Sequence, residues 1–373
     1  MTQPTILVTG ATGNTGGAVV SELLQRGVPV RAMVRTRDAR SAALEARGAQ
    51  VVVADMFDPD QLVAAMRGAQ HAYYVPPYHP YVIQSAVTFA VAAREAKLEA
   101  IVQLGQWLSH RNHPALMTRQ TWLMDRVFAE LHGIAHTILN PGLFADDFLR
   151  TIDFATLLGV FPVLGGGTGK VAPVANEDIA RTAVAALLAP GRHDGMTYRP
   201  TGPQLLSGRE MADIVAKVVG HRVRAVDVPF WLFSKTARWG QGVAPFMLSA
   251  LRHYIADAKN GAFAFEGGVT DTVEALTGTP AEDFETTARR YAALPFARQS
   301  LGNRLRTLAK FTVAPLLPGY DLERLERQWG IPEPQNPTPS LADQTWRDEH
   351  RRLMAGQTRA GQIAGTPSLR VAS

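Results

Sequence analysis

The sequence contains no cysteine among its 373 residues. That absence excludes disulfides, thiolate metal sites, iron–sulfur clusters and a cysteine nucleophile, and it favours a reducing compartment. No basic segment precedes the first apolar run, and no apolar run reaches the roughly 18 residues that a membrane-spanning helix needs. Apolar residues make up 46% of the chain and charged residues 19%, which is typical of a globular protein. We therefore expect a soluble, cytoplasmic protein.

Excess positive charge is confined to the C-terminal end of the chain. Residues 289–373 carry 13 Lys and Arg against 7 Asp and Glu, whereas residues 1–288 carry 25 against 26. Because the main body is nearly neutral, we expect no direct DNA binding. The expected partner is a small-molecule substrate. The mixed apolar and basic segment 300–317 suggests contact with a protein partner, self-association or a membrane surface, although a helix packed on its own domain explains it as well.

Short β-rich runs alternate with segments of helical periodicity over the first 140 residues. Such alternation predicts right-handed crossovers and a parallel sheet covered on both faces, which is a doubly wound α/β domain. The predicted strands are 5–10, 30–34, 51–54, 71–75, 100–104 and 135–139, and the predicted helices are 18–26, 39–46, 60–67, 82–96 and 116–131.

The alternation weakens beyond Pro141. Glycine- and proline-rich loops are predicted around 159–173, and the remaining predicted elements are helices at 176–188, 206–219 and 231–256 and a strand at 196–200. We divide the chain into a nucleotide-binding part at 1–140, a substrate lobe mainly at 141–290, a basic and partly helical extension at 291–330, and an extended or disordered tail at 331–373.

The first predicted strand and helix are joined by a GxxGxxG motif formed by Gly10, Gly13 and Gly16. In this context the first glycine permits a tight turn, the second lets the backbone approach a pyrophosphate, and the third lets the helix pack closely on the strand. The motif predicts a dinucleotide site, and a glycine-rich turn that has lost its ligand is the alternative interpretation.

The end of the second strand distinguishes the two nicotinamide nucleotides, because an acid there binds ribose hydroxyls and an arginine pairs with a 2′-phosphate. This chain has Arg35, followed by Arg37 and Arg40, with Asp38 as a nearby acid. The predicted cofactor is therefore NADP, with NAD as the alternative. The predicted cofactor-binding residues are Gly10, Thr12, Gly13, Asn14, Thr15, Gly16, Arg35, Asp55, Met56, Pro76, Asn140 and Pro141.

Several segments resemble the NmrA-like branch of the atypical short-chain dehydrogenase/reductase superfamily. They are 9–16, Arg35, Asp55, Asn140-Pro141-Gly142 followed by Phe144, and 173–180. The resemblance covers roughly residues 1–290 and implies a seven-stranded Rossmann-like domain, a small C-terminal lobe and an NADP-type cofactor. Some members of that branch resemble quinone or isoflavonoid reductases, and others bind the nucleotide as redox sensors without turnover.

The catalytic residues are where the chain departs from short-chain dehydrogenases. Those enzymes use Tyr-x-x-x-Lys, in which the lysine lowers the pKa of the tyrosine. None of the eight tyrosines here has a lysine four residues later, and no lysine lies between Lys97 and Lys170. Thr121 and Gln120 are candidate donors to a substrate oxygen, although an amphipathic helix explains their segment equally.

Two further features are open to a functional and a structural interpretation. His110 and His113 suggest a metal site, but with no third ligand in view we interpret them as a solvated loop and predict no metal. Tyrosines 73, 74, 78 and 81 surround Pro76-Pro77 and would suit either a flat substrate or core packing.

Two functions fit these observations. The first is an NADP(H)-binding oxidoreductase that transfers hydride to a flat conjugated acceptor such as a quinone or enone, which the predicted pocket favours. The alternative is a non-catalytic NADP(H) redox-sensing regulatory protein, which the missing lysine favours.

Overall fold

The computed structural model describes residues 3–357, and its strands belong to two parallel sheets. The strands are β1 (Ile6–Val8), β2 (Val30–Val34), β3 (Gln50–Val53), β4 (His71–Tyr74), β5 (Ala100–Leu104), β6 (Ala135–Leu139), β7 (Val160–Val163), β8 (Thr197–Tyr198) and β9 (Arg224–Asp227). The main sheet has seven strands in the order β3-β2-β1-β4-β5-β6-β8, and β7 pairs with β9 outside it. The strand order reverses between β1 and β4, so a crevice opens there at the carboxyl ends of the strands. The predicted doubly wound, seven-stranded fold is confirmed.

Helices cover both faces of the main sheet and build the lobe beyond it. They are α1 (Asn14–Gln25), α2 (Ala39–Ala46), α3 (Pro59–Met66), α4 (Val82–Glu95), α5 (Leu116–Ala129), α6 (Ala145–Leu149), α7 (Ile152–Leu158), α8 (Asn176–Leu188), α9 (Pro190–His193), α10 (Gly208–Val219), α11 (Phe230–Gln241), α12 (Pro245–Lys259), α13 (Thr272–Thr277), α14 (Phe284–Ala292), α15 (Leu301–Val313), α16 (Leu322–Trp329) and α17 (Gln344–Gln357). Within the described range, no helix combines the length and apolar character needed to cross a membrane.

Alternation along β1 shows how the sheet is buried on both sides. Ile6 and Val8 point into a cluster shared with α1 and α8, whereas Leu7 points into the opposite cluster with α3, α4 and α5. Because both faces are covered, the strand is a continuous apolar run instead of an alternating one. This packing fixes the end of β1, from which the glycine motif departs.

The lobe differs from its prediction in two places. Residues 145–158 form α6 and α7, and β7 lies within the segment predicted as loop at 159–173. The single helix predicted at 231–256 is instead two helices, α11 and α12. Gly242 ends α11 in the left-handed region at φ 66°, and Pro245 begins α12, where it needs no backbone N–H.

The C-terminal end is more ordered than predicted. Residues 344–357 form α17, whereas we predicted an extended or disordered tail at 331–373. The helix buries Trp346, which is 1% exposed, against Phe265 and His350, and the Trp346 indole donates a hydrogen bond to the carbonyl of Trp107. Trp346, His350 and Met354 recur at four-residue spacing and form one buried stripe along α17. Because the other residues of this helix are mostly polar, its composition does not indicate the stripe. The part of the tail at 358–373 lies outside the described residues.

Candidate functional site

A cleft of about 730 Å³ opens at the carboxyl ends of the central strands. One end is formed by the glycine turn after β1, and the other by apolar side chains of α12 and of the segments after β5 and β6. Every predicted cofactor-binding residue except Asn140 lines this cleft. Asn140 is buried behind Gly105, so closely that a Cβ on Gly105 would lie 2.1 Å from the Asn140 Oδ1.

The glycine turn leaves the amino end of α1 open to the cleft. Gly10 adopts φ +59°, and the Gly13 N–H donates to the Gly10 carbonyl at 2.9 Å. A Cβ on Gly16 would lie only 2.3 Å from that same carbonyl oxygen, so only glycine allows α1 to pack this closely on the strand. Gly13 is the N-cap, and no described side chain caps α1 there. The free N–H groups at the start of α1 are therefore available to an anion such as a pyrophosphate.

A buried polar network fixes the start of α1 to the lobe. Asp146 accepts hydrogen bonds from Asn14 at 2.6 Å and from Asn176 at 2.8 Å, and Thr15 donates to the Asn176 side chain at 3.0 Å. These contacts link the start of α1 to α6 and α8, and they therefore fix the position of the glycine turn relative to the lobe. Sequence reasoning predicted Asn14 and Thr15 but missed Asp146, because neither helix α6 nor its contacts were predicted.

The arginines after β2 have different partners. Arg37 pairs with Glu45 at 3.0 Å, and Arg40 pairs with Asp38 at 2.7 Å. Asp38 also caps α2, and its backbone hydrogen bond from Ser41 followed by its bond from Arg40 lowers the pKa of the carboxyl. Arg35 lines the cleft and has no ion pair with any residue of 3–357. Asp38 is therefore occupied. Arg40 also lines the cleft but is paired with Asp38, whereas Arg35 lines it without an ion pair to any residue of 3–357.

The other end of the cleft is apolar and aromatic. Trp107 and Phe263 line it with their rings stacked 6.3 Å apart, and the Arg199 guanidinium lies 4.6 Å from the Trp107 ring centroid. Of the tyrosines near Pro76, Tyr78 lines the cleft, whereas Tyr73 and Tyr74 are fully buried in the sheet core. The structural interpretation is thus correct for Tyr73 and Tyr74.

Tyr254 is a cleft residue that sequence reasoning missed. Its hydroxyl donates a hydrogen bond to Gln106, which also lines the cleft, and accepts one from Thr118 at 3.1 Å. Burial raises the pKa of Tyr254, so the phenol stays protonated at neutral pH. No spacing rule identifies this residue, because Tyr254 lies 148 residues after Gln106, the residue that it contacts.

Helix α6 and its C-cap place two acids, Asp146 and Asp147, and one base, Arg150, at the cleft. Arg150 pairs with Asp147 at 2.7 Å and lies 3.7 Å from Asp146. Removal from water raises the pKa of Asp147 to about 7, with Arg150 opposing the rise and Asp146 adding to it. Asp147 therefore holds its proton more strongly than an ordinary carboxyl does.

The two predicted catalytic candidates lie outside the lining of the cleft. Gln120 donates to the Pro80 carbonyl at 2.7 Å and accepts from the Ile83 N–H, and Thr121 donates to the Met117 carbonyl at 2.9 Å. Both side chains are buried and their hydrogen bonds hold α5 in place. Tyr254 and Gln106 are instead the polar groups at the apolar end.

The histidine pair is buried, so the solvated-loop interpretation is wrong. His110 is 3% exposed and His113 is fully buried, with the His113 Nε2 at 2.9 Å from Asp257. Burial lowers the pKa of His110 to about 4 and keeps it neutral. Within residues 3–357, no group of three or more His, Cys, Asp or Glu residues is placed to hold a metal ion.

Comparisons with known proteins agree with this geometry. The model of the NmrA-like family matches residues 2–143. An NAD(P)H azoreductase from Xenophilus azovorans is 32% identical over 301 residues, which span 77% of this chain and 98% of that protein.

Solved structures share the fold. An NADPH-dependent quinone oxidoreductase from Escherichia coli, complexed with NADPH, superposes with a TM-score of 0.64 at 24% identity over 76% of this chain and 99% of that one. NmrA, a negative transcriptional regulator in complex with NAD, gives a TM-score of 0.64 at 16% identity over 78% of this chain and 95% of that one.

Proposed function

The chain belongs to the NmrA-like family, and from that premise we propose that it is an NADP(H)-dependent oxidoreductase acting on a flat conjugated acceptor such as a quinone, an enone or an azo compound. The observation that carries the proposal is a single cleft that joins an anion-binding turn to an aromatic compartment. The azoreductase relative, at 32% identity, supports both the reaction class and a conjugated acceptor.

The residues at the polar end fit NADP(H). The open amino end of α1 would hold the pyrophosphate, and Gly13 lets backbone approach it without a side chain between. Arg35 would pair with the 2′-phosphate, since its neighbours Arg37 and Arg40 are bound to Glu45 and Asp38. When bound, NADPH supplies the hydride.

The residues at the apolar end would orient the acceptor. Trp107 and Phe263 stack on one another, and the Arg199 guanidinium lies over the Trp107 ring. A flat ring packed against these side chains would exclude water from the reacting atoms. Met247 and Leu251 of α12 extend the apolar contact.

Tyr254 would donate a hydrogen bond to the acceptor by turning its single O–H away from Gln106, which accepts that proton in this structure. Its hydroxyl is hydrogen-bonded to the cleft residue Gln106, and its raised pKa keeps the proton on the phenol. A protonated phenol polarises a substrate oxygen or nitrogen without a lysine partner. Solvent then protonates a quinone or azo product after hydride transfer, so a strong general acid is not required.

The second candidate is a non-catalytic sensor of the NADPH/NADP ratio. The lack of a lysine between Lys97 and Lys170 favours it, because the lysine that lowers the pKa of the catalytic tyrosine in short-chain dehydrogenases is missing. In that case the same cleft would bind the nucleotide tightly without turnover.

Steady-state NADPH oxidation with a panel of quinones, enones and azo dyes separates the two. Turnover supports the reductase, and tight binding with no turnover supports the sensor. Tyr254→Phe should lower kcat with unchanged NADPH affinity. Tyr198→Phe is the matched control, because it also removes a buried hydroxyl bonded at 2.8 Å, to His193, away from the cleft lining. Equal kcat for Tyr254→Phe and the wild type would remove Tyr254 from the mechanism.

A further inference from the structure

Helix α15 turns a polar side toward the protein and an apolar side toward the solvent, which is the opposite of an ordinary surface helix. Its inward side carries Thr307 and Lys310, which contact the buried carboxylate of Asp153 at 3.0 and 3.2 Å. Leu301, Leu305 and Leu308 recur at i, i+4 and i+7 on the opposite side and are 75%, 57% and 45% exposed. The helix thus turns its leucines away from the protein.

Neighbouring segments extend this apolar surface. Trp231 and Trp239 lie two turns apart on α11 and are about half exposed, and Leu316 follows α15. The Trp239 indole donates to the Pro318 carbonyl at 2.9 Å, and Lys235 donates to the Pro315 carbonyl at 2.8 Å. These bonds fix α11 beside the end of α15. We call Trp231, Trp239, Leu301, Leu305, Leu308 and Leu316 the apolar outer face.

The chain that builds the apolar outer face carries positive charge only. Residues 228–256 and 286–320 contain nine Lys and Arg and no Asp or Glu. Acids from other segments pair with Arg252, Arg289, Arg290 and Lys310. The basic residues that form no ion pair with any residue of 3–357 are Lys235, Arg238, Arg298, Arg304 and Arg306.

The positive charge around the apolar outer face indicates which kind of partner can bind there. A second copy related by two-fold symmetry would bring the same basic surface against itself, which is unfavourable. Residues 358–373 contain two arginines and no acid, so they do not complement the face either. A surface that combines exposed Leu and Trp with uncompensated Arg and Lys fits the interface of an anionic bilayer.

We propose that α15 and α11 dock the protein on the surface of an anionic phospholipid membrane, with the apolar outer face in the headgroup region and the unpaired Arg and Lys on lipid phosphates. The helices lie on the membrane and do not cross it. The proposal is independent of the reductase assignment. It places the apolar end of the cleft near the membrane, because Met247 and Leu251 line the cleft and also pack with α11.

Flotation of the full chain with vesicles tests the proposal. Vesicles of phosphatidylcholine mixed with phosphatidylglycerol should bind the protein, and pure phosphatidylcholine vesicles should bind it much more weakly. Arg304→Gln with Arg306→Gln should lower the partition coefficient about 25-fold, because each cationic charge contributes roughly fivefold. Higher salt should weaken binding in the same way.

A leucine variant tests the apolar part. Leu301→Gln, Leu305→Gln and Leu308→Gln together should abolish flotation and leave the folded state intact, since all three side chains are exposed. Val87→Gln with Val91→Gln on α4 is the matched control, because it removes two exposed apolar side chains elsewhere and should bind vesicles as the wild type does.

Three results would overturn the proposal. One is equal binding to neutral and anionic vesicles, and another is equal binding by the wild type and the leucine variant. The third is no vesicle binding by the wild type. If size-exclusion chromatography in that case gives a dimer that the leucine variant converts to a monomer, a second copy covers the face instead.

Discussion

Trp346→Ala tests whether the C-terminal helix is part of the lobe that shapes the cleft. Trp346 is 1% exposed, and its ring lies 5.8 Å from Phe265 and 4.7 Å from His350 by centroid distance. Truncation of a buried tryptophan to alanine costs about 3–5 kcal/mol of unfolding free energy. The Trp107 carbonyl loses the indole donor but keeps a hydrogen bond from Arg199 at 3.3 Å, so no unpaired acceptor adds to that cost.

Urea unfolding followed by circular dichroism measures the effect. Trp346→Ala should lose about 3–5 kcal/mol, whereas Trp231→Ala should lose under about 1 kcal/mol, because Trp231 is 55% exposed. NADPH affinity should stay the same in both variants, and the KM for the acceptor should rise in Trp346→Ala, because Trp107 lines the cleft. Ending the chain after Gly330 removes the same contacts and should destabilise the lobe further. An unfolding midpoint of Trp346→Ala equal to that of the wild type would show that α17 does not pack as described.

Further predictions concern the glycine turn and a buried carboxyl. Gly13→Val should abolish NADPH binding, measured by calorimetry, and leave the fold intact. Gly16→Ala should lower both NADPH affinity and stability, because its Cβ would lie 2.3 Å from the Gly10 carbonyl oxygen. Gly191→Ala is the control, because its Cβ would have no atom within 4 Å. Unchanged NADPH affinity in Gly13→Val would show that the phosphates lie elsewhere. Burial raises the pKa of Asp125 to about 7. The contribution of its protonated form to the free energy of unfolding is therefore fully present below about pH 4 and is lost as the pH rises through 7. Asp125→Asn should therefore gain up to about 4 kcal/mol relative to the wild type between pH 4 and pH 8, and parallel pH profiles of unfolding free energy would contradict this.

The nucleotide-binding half could be predicted from the sequence because local patterns determine it. Strands such as Val30–Val34 and Ala100–Leu104 are runs of apolar residues, each with one polar residue, between turns. Helix Ala39–Ala46 follows the capping residue Asp38. The glycine motif is likewise local, since all its constraints lie within seven residues. The NmrA-like resemblance stated on these residues is confirmed by the family comparison.

The rest of the site depends on contacts between distant segments. Tyr254 meets Gln106 across 148 residues of sequence, and His113 meets Asp257 across 144. Trp346 reaches Trp107 across 239. Periodicity predicts which residues share a face of one helix, but it does not predict which distant helix covers that face. The burial of the histidine pair and the order of α17 were missed for this reason.

In the proposed function, one cleft binds NADP(H) through Arg35 and reduces an acceptor beside Trp107. The most direct measurement is kcat/KM with NADPH and with NADH, for the wild type and Arg35→Ala, with one acceptor that turns over. A well-formed guanidinium–phosphate pair contributes about 1.5–3 kcal/mol, so the wild type should prefer NADPH roughly ten- to a hundredfold. Arg35→Ala should lose most of that preference through weaker use of NADPH, with NADH spared. No turnover with either nucleotide would show that the cleft does not reduce an acceptor, and an unchanged preference in Arg35→Ala would show that Arg35 does not bind the 2′-phosphate.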